Sequence, residues 1–281
     1  MVKNLLLTLA VAIGATVAYG HGGAAFYPPG TGVQDIHGSM FDKIVKQSNY
    51  TSIVEFYAPW CGYCQKLAPT YRKLAKSLTN YAVNVVSVNC DDNRQLCAKY
   101  QIEGYPTLMV FRPPKYDKQL KSAMNEPALE TYQQKRDAKS IHNYVVGRIK
   151  NYVKRLPAPD TKEFAHWISL DDKGDKLVLI SKAKIPSPML KTLAIDFLSS
   201  ALFGHNPSKT DTVTINGENY ELPLFIHYKN DSIKIYDGAL SDRIAITKWI
   251  STVTGKLPTE GPLSRKKNKK NKKSKKVHDE L

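Results

Sequence analysis

The sequence predicts an α/β fold built as two units in tandem, organised around one buried strand. An apolar run over 53–58, broken once by Glu55, is typical of such a strand. Apolar residues at helical spacing follow over 65–78, and two cysteines lie where the strand gives way to the helix. The order of elements in the first half recurs by pattern alone in the second half, which indicates a diverged repeat.

The first unit is predicted to occupy residues 21–155. A lead-in rich in Gly, Ala and Pro precedes an order β-α-β-α-β-α-β-β-α, typical of parallel strands joined by helices. Pro69 should kink the helix that carries the cysteines. In chain order the predicted elements are a strand at 33–37, a helix at 39–47, the strand 53–58, the helix 65–78, a strand at 82–89, a helix at 94–100, a strand at 108–111, a turn-rich insertion at 113–127, a strand at 130–134 and a long helix at 138–154.

Residues 156–160 read Leu-Pro-Ala-Pro-Asp, which is typical of a linker, and the second unit, 161–256, contains no cysteine. The tail 257–281 lacks apolar periodicity and is predicted to be disordered. Within the second unit we expect a helix at 162–168, a strand at 176–181, a helix at 189–203 stopped by Gly204, strands at 212–215, 224–228 and 233–236, and a helix at 241–252.

The ends of the chain predict a cellular address. An apolar run over 5–17 followed by Ala-Tyr-Gly predicts a cleaved signal peptide at 1–20. A membrane-spanning helix is the alternative, but this run is shorter than the roughly 20 residues needed to span a bilayer. No other apolar segment is long enough to span a bilayer, so we expect no stable membrane insertion. The last four residues, His278, Asp279, Glu280 and Leu281, spell a retention signal of the endoplasmic reticulum. We therefore expect the lumen of the endoplasmic reticulum, with the retention-signal receptor as a partner.

The net charge of +16 is concentrated in one place, because residues 265–276 contain nine of the 41 basic residues. Such a run is compatible with nucleic-acid binding. A protein in the lumen does not meet nucleic acid, so we expect the basic run to be a solvated spacer that exposes the retention signal, with no nucleic-acid partner. Attraction to anionic membranes or acidic lumenal proteins stays open.

The sequence contains four cysteines, Cys61, Cys64, Cys90 and Cys97. The predicted lumen is an oxidising compartment, where disulfides persist. The first two are spaced C-x-x-C at a helix N-terminus, where free N–H groups and a partial positive charge favour a thiolate. This position predicts redox chemistry. Sequons at Asn49 and Asn230 predict possible sites of N-glycosylation in that lumen.

The run 54–64, VEFYAPWCGYC, together with 104–107 and Arg136, resembles the catalytic module of the protein disulfide-isomerase family. Taken whole, the chain is similar to short fungal members with one redox-active and one redox-inactive thioredoxin-like domain, although the specific match covers only about 33–154. The resemblance implies an enzyme that forms, reduces and rearranges disulfides in cysteine-containing nascent secretory proteins. It also implies a lumenal oxidase or glutathione as electron partner, and no cofactor or metal.

The resemblance assigns roles to particular residues. Cys61 would be the exposed attacking thiolate and Cys64 the buried resolving thiol. Glu55, costly to bury unless neutral or functional, would exchange a proton with the inner cysteine through water. Pro106 would be the cis-proline facing the active site, where the preceding backbone is exposed to pair with a substrate strand. Arg136 would be a mobile arginine that lowers the pKa of the inner cysteine, with a solvated surface arginine as the alternative.

Two positions depart from the family pattern. Tyr63, which with Gly62 separates the cysteines, stands where the family usually has a histidine. A neutral tyrosine cannot stabilise the outer thiolate by charge, so we expect a less oxidising active site. Ser87 stands where a lysine commonly partners the buried glutamate. Without that cation, desolvation should raise the pKa of Glu55.

Two alternatives accompany these expectations. Some family members carry a structural disulfide at positions that correspond to Cys90 and Cys97, and this pairing is expected here. A zinc site built from all four cysteines is the alternative, although the C-x6-C spacing does not match common ligand pairs. For the whole protein, the alternative to an enzyme is a redox-independent chaperone or escort of the endoplasmic reticulum.

Overall fold

A computed structural model describes residues 25–114, 126–170, 174–229 and 232–264, which form two α/β units, each around a five-stranded sheet. The predicted signal peptide, most of the turn-rich insertion, Asn230 and the basic run with its retention signal lie outside the described residues. Among the helices of the described part, none is long and apolar enough to cross a membrane.

The first sheet has the strand order β1-β3-β2-β4-β5. Strands β1, β2 and β3 are parallel, whereas β4 is antiparallel to β2 and β5 is antiparallel to β4. The expectation of parallel strands is therefore wrong for β4 and β5, because apolar periodicity does not encode strand direction. The elements are β1 (Gln34–Asp35), β2 (Thr51–Tyr57), α1 (Gly62–Leu78), β3 (Val83–Asn89), α2 (Arg94–Lys99), β4 (Thr107–Arg112), β5 (Ala128–Thr131) and α3 (Ala138–Val146).

Strand β2 lies at the centre of this unit, and all seven of its residues are buried. Helix α1 covers one face of the sheet with the apolar positions that the sequence predicted, and Pro69 lies inside it. A second apolar cluster, which includes Phe41 and Phe56, covers the opposite face. The helix predicted at 39–47 is instead a 3-10 turn, Gly38–Met40, followed by a π-helical turn, Asp42–Lys46.

The long helix predicted at 138–154 is wrong in its second half. Helix α3 ends at Val146, next to Gly147, and strand β6 (Val153–Arg155) pairs with the second sheet. Ile149 and Val153 are buried against different clusters on either side of this connection, which a straight helix could not satisfy. The second sheet therefore begins before the predicted linker.

The second sheet has the order β12-β11-β7-β8-β6, and β9 and β10 form a separate hairpin. The hairpin turns at Asn216 and Gly217, both with positive φ, as a type I′ turn requires. The elements are α4 (Lys162–Ser169), β7 (Asp175–Ser181), α5 (Pro188–Asp196), β8 (Ala201–Pro207), β9 (Thr212–Ile215), β10 (Glu218–Glu221), β11 (Leu224–Lys229), β12 (Ser232–Tyr236) and α6 (Arg243–Thr254).

The helix predicted at 189–203 is too long, because residues 201–207 form β8, parallel to β7. Gly204 does not stop a helix. It lies inside this strand, where an added Cβ would approach Cδ1 of Leu156 to 2.3 Å. Its role is to allow close packing between β8 and the segment that the sequence predicted as a linker.

The disorder predicted from residue 257 is wrong for 257–264. The amide of Thr259 donates to the carbonyl of Asp196 at 2.8 Å, and Ser264 is buried. The amide and the hydroxyl of Thr259 both donate to the carbonyl at the end of α5, and such bonds leave no apolar periodicity in the sequence.

The two units meet at a buried polar group formed by Tyr50, Asp196 and Arg243, here called the interdomain clamp. Arg243 donates from Nη2 to both carboxylate oxygens of Asp196 at 2.8 Å, and its Nη2 also bonds the hydroxyl of Tyr50. Its Nη1 donates to the carbonyls of Thr79 and Tyr81, just beyond the end of α1. The second unit is thereby fastened to the far end of the helix that carries the cysteine pair.

Candidate active site

The cysteine pair lies where β2 hands over to α1. Cys61 is the N-cap residue of α1, and its Sγ accepts a hydrogen bond from the backbone N–H of Cys64 at 3.3 Å. Both cysteines carry free thiols. The side chain of Cys61 is more covered than the sequence indicated, with the residue 7% exposed, whereas Cys64 is 0% exposed.

The surroundings of the two sulfurs differ. An N–H group of the first helical turn points at Cys61 Sγ, an arrangement that favours negative charge on that sulfur. Burial raises the pKa of Cys64 to about 12, with a further contribution from its hydrogen bond to Cys61. The pair therefore offers an outer sulfur suited to attack and an inner thiol that needs a base before it can react.

Glu55 lies on β2, directly opposite Ser87 on β3, and is completely buried. Burial raises the pKa of its carboxyl to about 7, while a hydrogen bond from Tyr27 and the charge of Arg136 oppose that rise. The shift has the direction expected from the absence of a lysine at position 87. Glu55 in turn helps to raise the pKa of Cys64, so the two groups interact electrostatically.

A second carboxyl group lies behind Glu55. Asp35 on β1 accepts hydrogen bonds from the hydroxyls of Ser87 and Tyr57, both at 2.9 Å. Burial raises the pKa of Asp35, and these two hydrogen bonds oppose the rise. The residue at the position that the family commonly gives to lysine thus donates to a second carboxyl group, that of the exposed residue Asp35, and not to Glu55.

Sequence reasoning missed Tyr27 and Asp35. Tyr27 lies in the lead-in, which has no periodicity, and its hydroxyl donates to Glu55 Oε2 across 28 residues of chain. Neither its spacing nor its neighbours in the sequence point to the active site. Asp35 did carry a signal, because an acidic residue in a short strand of a predicted sheet is unusual.

The segment 104–107 faces the cysteines. The Tyr105–Pro106 bond is cis, as the resemblance implied, and the thiol of Cys61 donates to the carbonyl of Tyr105 at 3.5 Å. Arg136 is exposed, but its charge lowers the pKa of Glu55, so it acts on the buried carboxyl from outside. Pro106 therefore lies at the site, whereas the predicted effect of Arg136 on the pKa of the inner cysteine stays a prediction.

Two aromatic side chains flank the pair at the surface. Trp60 is 70% exposed, and its indole N–H donates to Asp91 at 2.9 Å. Tyr63 is 74% exposed, with the ammonium group of Lys66 5.7 Å from the centre of its ring. Gly62 borders open space, so a Cβ there would meet no other atom within 4 Å.

The other predicted positions lie away from the pair. Cys90 and Cys97 form a disulfide with an S–S distance of 2.00 Å, which joins the end of β3 to α2. Because two of the four sulfurs are bonded to each other, the alternative four-cysteine zinc site is not formed. Asn49 is half-buried and precedes Tyr50 of the interdomain clamp, and the hydroxyl of Thr51 in its sequon donates to the carbonyl of Arg148 at 3.0 Å.

A mixed sheet flanked by helices, with a C-x-x-C pair at the start of a helix that leaves its central strand, defines a thioredoxin-fold thiol–disulfide oxidoreductase. The family Thioredoxin matches residues 32–135. The protein disulfide-isomerase MPD1 of Saccharomyces cerevisiae is 36% identical over 273 residues, which cover 86% of this chain and 84% of that protein. The chain belongs to the protein disulfide-isomerase family, and it is a thiol–disulfide oxidoreductase and isomerase.

Two further proteins are similar to this chain. A mitochondrial thioredoxin domain-containing protein of Schizosaccharomyces pombe is 32% identical over 79% of this chain and 60% of its own length. Among solved structures, the Trx4 domain of ERdj5 is 31% identical, covers 42% of this chain and 96% of that chain, and gives a TM-score of 0.36.

Proposed function

We propose that the protein rearranges disulfides in folding secretory proteins within the lumen of the endoplasmic reticulum, with Cys61 as the attacking group. The observation that carries the proposal is the contrast between the two thiols. Cys61 accepts an N–H at the start of α1, whereas burial raises the pKa of Cys64 to about 12.

The first step is attack by the Cys61 thiolate on one sulfur of a substrate disulfide. The new bond joins Cys61 to that sulfur, and the other substrate sulfur leaves as a thiolate, so no outside oxidant or reductant is consumed. A substrate thiol can then attack the mixed disulfide, which releases Cys61 and leaves the substrate with a different pairing. The segment 104–107, whose Tyr105 carbonyl contacts Cys61 Sγ, borders the path by which the substrate approaches.

Cys64 resolves mixed disulfides that do not rearrange. Its thiol gives a proton through water to the carboxylate of Glu55, and the resulting thiolate attacks Cys61 Sγ. The Cys61–Cys64 disulfide forms, and the substrate sulfur leaves as a thiolate and takes up a proton. Glu55 suits this role because its carboxyl has a pKa of about 7 and is charged in about half of the molecules near neutral pH. Arg136 assists by favouring the charged form of Glu55.

The lumenal location and the partners rest on separate support. The Cys90–Cys97 disulfide fits an oxidising compartment. The predicted signal peptide and retention signal indicate the same address and a retention-signal receptor as partner. A lumenal oxidase or the disulfide form of glutathione would accept two electrons from the reduced pair and return Cys61 and Cys64 to their disulfide.

A refolding assay with a scrambled, disulfide-containing test protein examines this function. Cys61→Ala should abolish the recovery of native disulfides, whereas Ser169→Ala, at the exposed end of α4, should match the unsubstituted protein. Full recovery of native disulfides with Cys61→Ala would refute the proposal.

The unsubstituted protein and Cys61→Ala also test the chaperone alternative. Suppression of aggregation of a cysteine-free client should be identical with and without Cys61, because that activity needs no thiol. If suppression is strong while reshuffling is absent from the unsubstituted protein as well, the escort function replaces the enzymatic one.

A further inference from the structure

The lead-in segment that precedes the first strand is folded onto the inner side of the active site. Tyr27 is 3% exposed and packs edge-on against Tyr57 and tilted against Tyr71. Its neighbour Phe26 stacks on Tyr57 with ring centroids 4.4 Å apart and joins the apolar cluster that contains both active-site cysteines. A segment without secondary structure thus forms part of the wall around the thiols.

Tyr27 makes one polar contact of consequence, the hydrogen bond that its hydroxyl donates to Glu55 Oε2. The other carboxylate oxygen, Oε1, has no hydrogen-bond partner among the described residues. A carboxyl group held by one oxygen is fixed in orientation and keeps the second oxygen available for a proton. Tyr27 therefore holds Oε2 of Glu55 and leaves Oε1 without a hydrogen bond.

A neutral serine stands at the position where the family commonly has a lysine beside Glu55. Ser87, opposite Glu55 on β3, directs its hydroxyl to Asp35. Asp35 adds a second negative charge near Glu55, and Arg136 opposes it from the exposed side. The titratable or charged groups that act on Glu55 or are acted on by it are Tyr27 from the lead-in, Asp35 from β1, Tyr57 from β2, Cys64 and Tyr71 from α1, and Arg136.

We propose that Tyr27 is a positioning residue for disulfide exchange, whose hydroxyl holds Glu55 and leaves Oε1 free to exchange a proton with Cys64. This inference rests on the proposed role of Glu55 and adds the group that orients it. The hydrogen bond favours the charged carboxylate, because a hydroxyl donor stabilises negative charge. In the resolving step, the proton moves through water from Cys64 to Oε1, while the Tyr27 hydroxyl keeps its own proton.

Removing the hydroxyl has a predictable direction. Tyr27→Phe keeps the ring that packs against Tyr57 and Tyr71 but withdraws the donor from Glu55. The pKa of Glu55 then rises above its value of about 7, so fewer molecules carry the carboxylate at neutral pH. A single hydrogen bond to a charged group is worth about a tenfold effect or more, so the resolving step at pH 7 should slow by about five- to tenfold.

The test follows the resolving step directly with a coloured leaving group. Cys61 is allowed to react with the aromatic disulfide 5,5′-dithiobis(2-nitrobenzoate), which leaves a thionitrobenzoate on its sulfur. Attack by Cys64 then releases that second thiolate, whose absorbance is recorded by stopped flow between pH 5.5 and 9. We expect the unsubstituted rate to rise with pH through an inflection near 7. The inflection should move upward in Tyr27→Phe, and the two rates should converge to within about twofold near pH 9 because Glu55 is then charged in both proteins.

Two further variants complete the experiment. Tyr144→Phe removes a hydroxyl that donates to a different carboxylate, Glu130, at 2.8 Å, and should leave the profile unchanged. Glu55→Gln should remove the inflection, and adding Tyr27→Phe to it should slow the step no further.

The role of Tyr27 is overturned if Tyr27→Phe is indistinguishable from the unsubstituted protein, if it slows the step equally at every pH, or if its effect multiplies with that of Glu55→Gln. A different result would overturn the proposed function itself, namely that Cys61 does not react with the probe at all. A loss of rate that persists at pH 9 marks a structural defect and also counts against the positioning role.

Discussion

Removing the cation of the interdomain clamp should weaken the contact between the two units. The side chains of Arg243 and Asp196 are 2% and 1% exposed, and they are joined at 2.8 Å. Arg243→Met removes the guanidinium and leaves the carboxylate of Asp196 buried with only the hydroxyl of Tyr50 and no cation. Breaking a buried pair by removing one partner costs about 3–5 kcal/mol. Both partners belong to the second unit, so this cost falls on that unit and, through the bonds of Arg243 to Tyr50, Thr79 and Tyr81, on its contact with the first unit.

Hydrogen exchange measures this contact. The amide of Ala82 donates to Oγ1 of Thr192 across the interface at 2.9 Å, so it exchanges only when the units separate. A loss of about 3–5 kcal/mol corresponds to a decrease in protection of roughly a hundredfold or more, because each 1.4 kcal/mol is a factor of ten. Mass spectrometry of the peptide that contains Ala82 provides the assay.

Two comparisons make the result interpretable. Arg148→Met breaks an ion pair with Glu130 whose side chains are 28% and 27% exposed, and such pairs contribute at most about 1 kcal/mol. Adding Asp196→Leu to Arg243→Met removes the stranded charge and should restore much of the protection. If Arg243→Met changes the protection of Ala82 by less than about threefold, the clamp does not hold the units together.

Two other predictions concern the cysteines. Tyr63→His places an imidazole beside the outer thiolate and should make the redox potential, measured against glutathione at pH 7, more oxidising by about 10–30 mV. This range follows because the two-electron couple changes by about 30 mV for each 1.4 kcal/mol. Tyr63→Phe serves as the control, and a potential equal to or below that of the unsubstituted protein would contradict the prediction. Replacing Cys90 and Cys97 together by serine opens a loop with a sequence separation of 7 and should lower the free energy of unfolding by about 2–3 kcal/mol in urea denaturation. Disulfide reshuffling through Cys61 should continue. Lost reshuffling in a protein of unchanged stability would show that the second pair takes part in the reaction.

Several parts of the fold could be read from local pattern. Strand β2 and helix α1 were predictable because a continuous apolar run and a helical apolar face each have a period of their own. The helix ends near residues 146 and 196 were not, because the chain there leaves the helix to join a sheet formed by distant residues. Gly204 shows the difficulty, since a glycine at a helix end and a glycine under a close contact look alike in sequence.

The active site divides in the same way. Cys61, Cys64, Glu55 and Pro106 form a recognisable motif because each is tied by spacing to the strand or helix that positions it. Tyr27 and Asp35 reach Glu55 and Ser87 only through tertiary folding, and an unstructured lead-in gives no spacing from which to infer that contact. The substitution at position 87 did predict the direction in which the pKa of Glu55 is shifted, because that inference needs only burial and a missing charge.

Trapping of a mixed disulfide tests directly whether Cys61 is the sulfur that attacks the client. Cys64→Ser removes the resolving thiol, so a peptide client with one disulfide should remain bound to the enzyme after attack. Mapping of the non-reduced peptides by mass spectrometry should find the client joined to Cys61, with Cys90 and Cys97 still bonded to each other. A client joined to Cys90 or Cys97, or no adduct at all, would contradict the account.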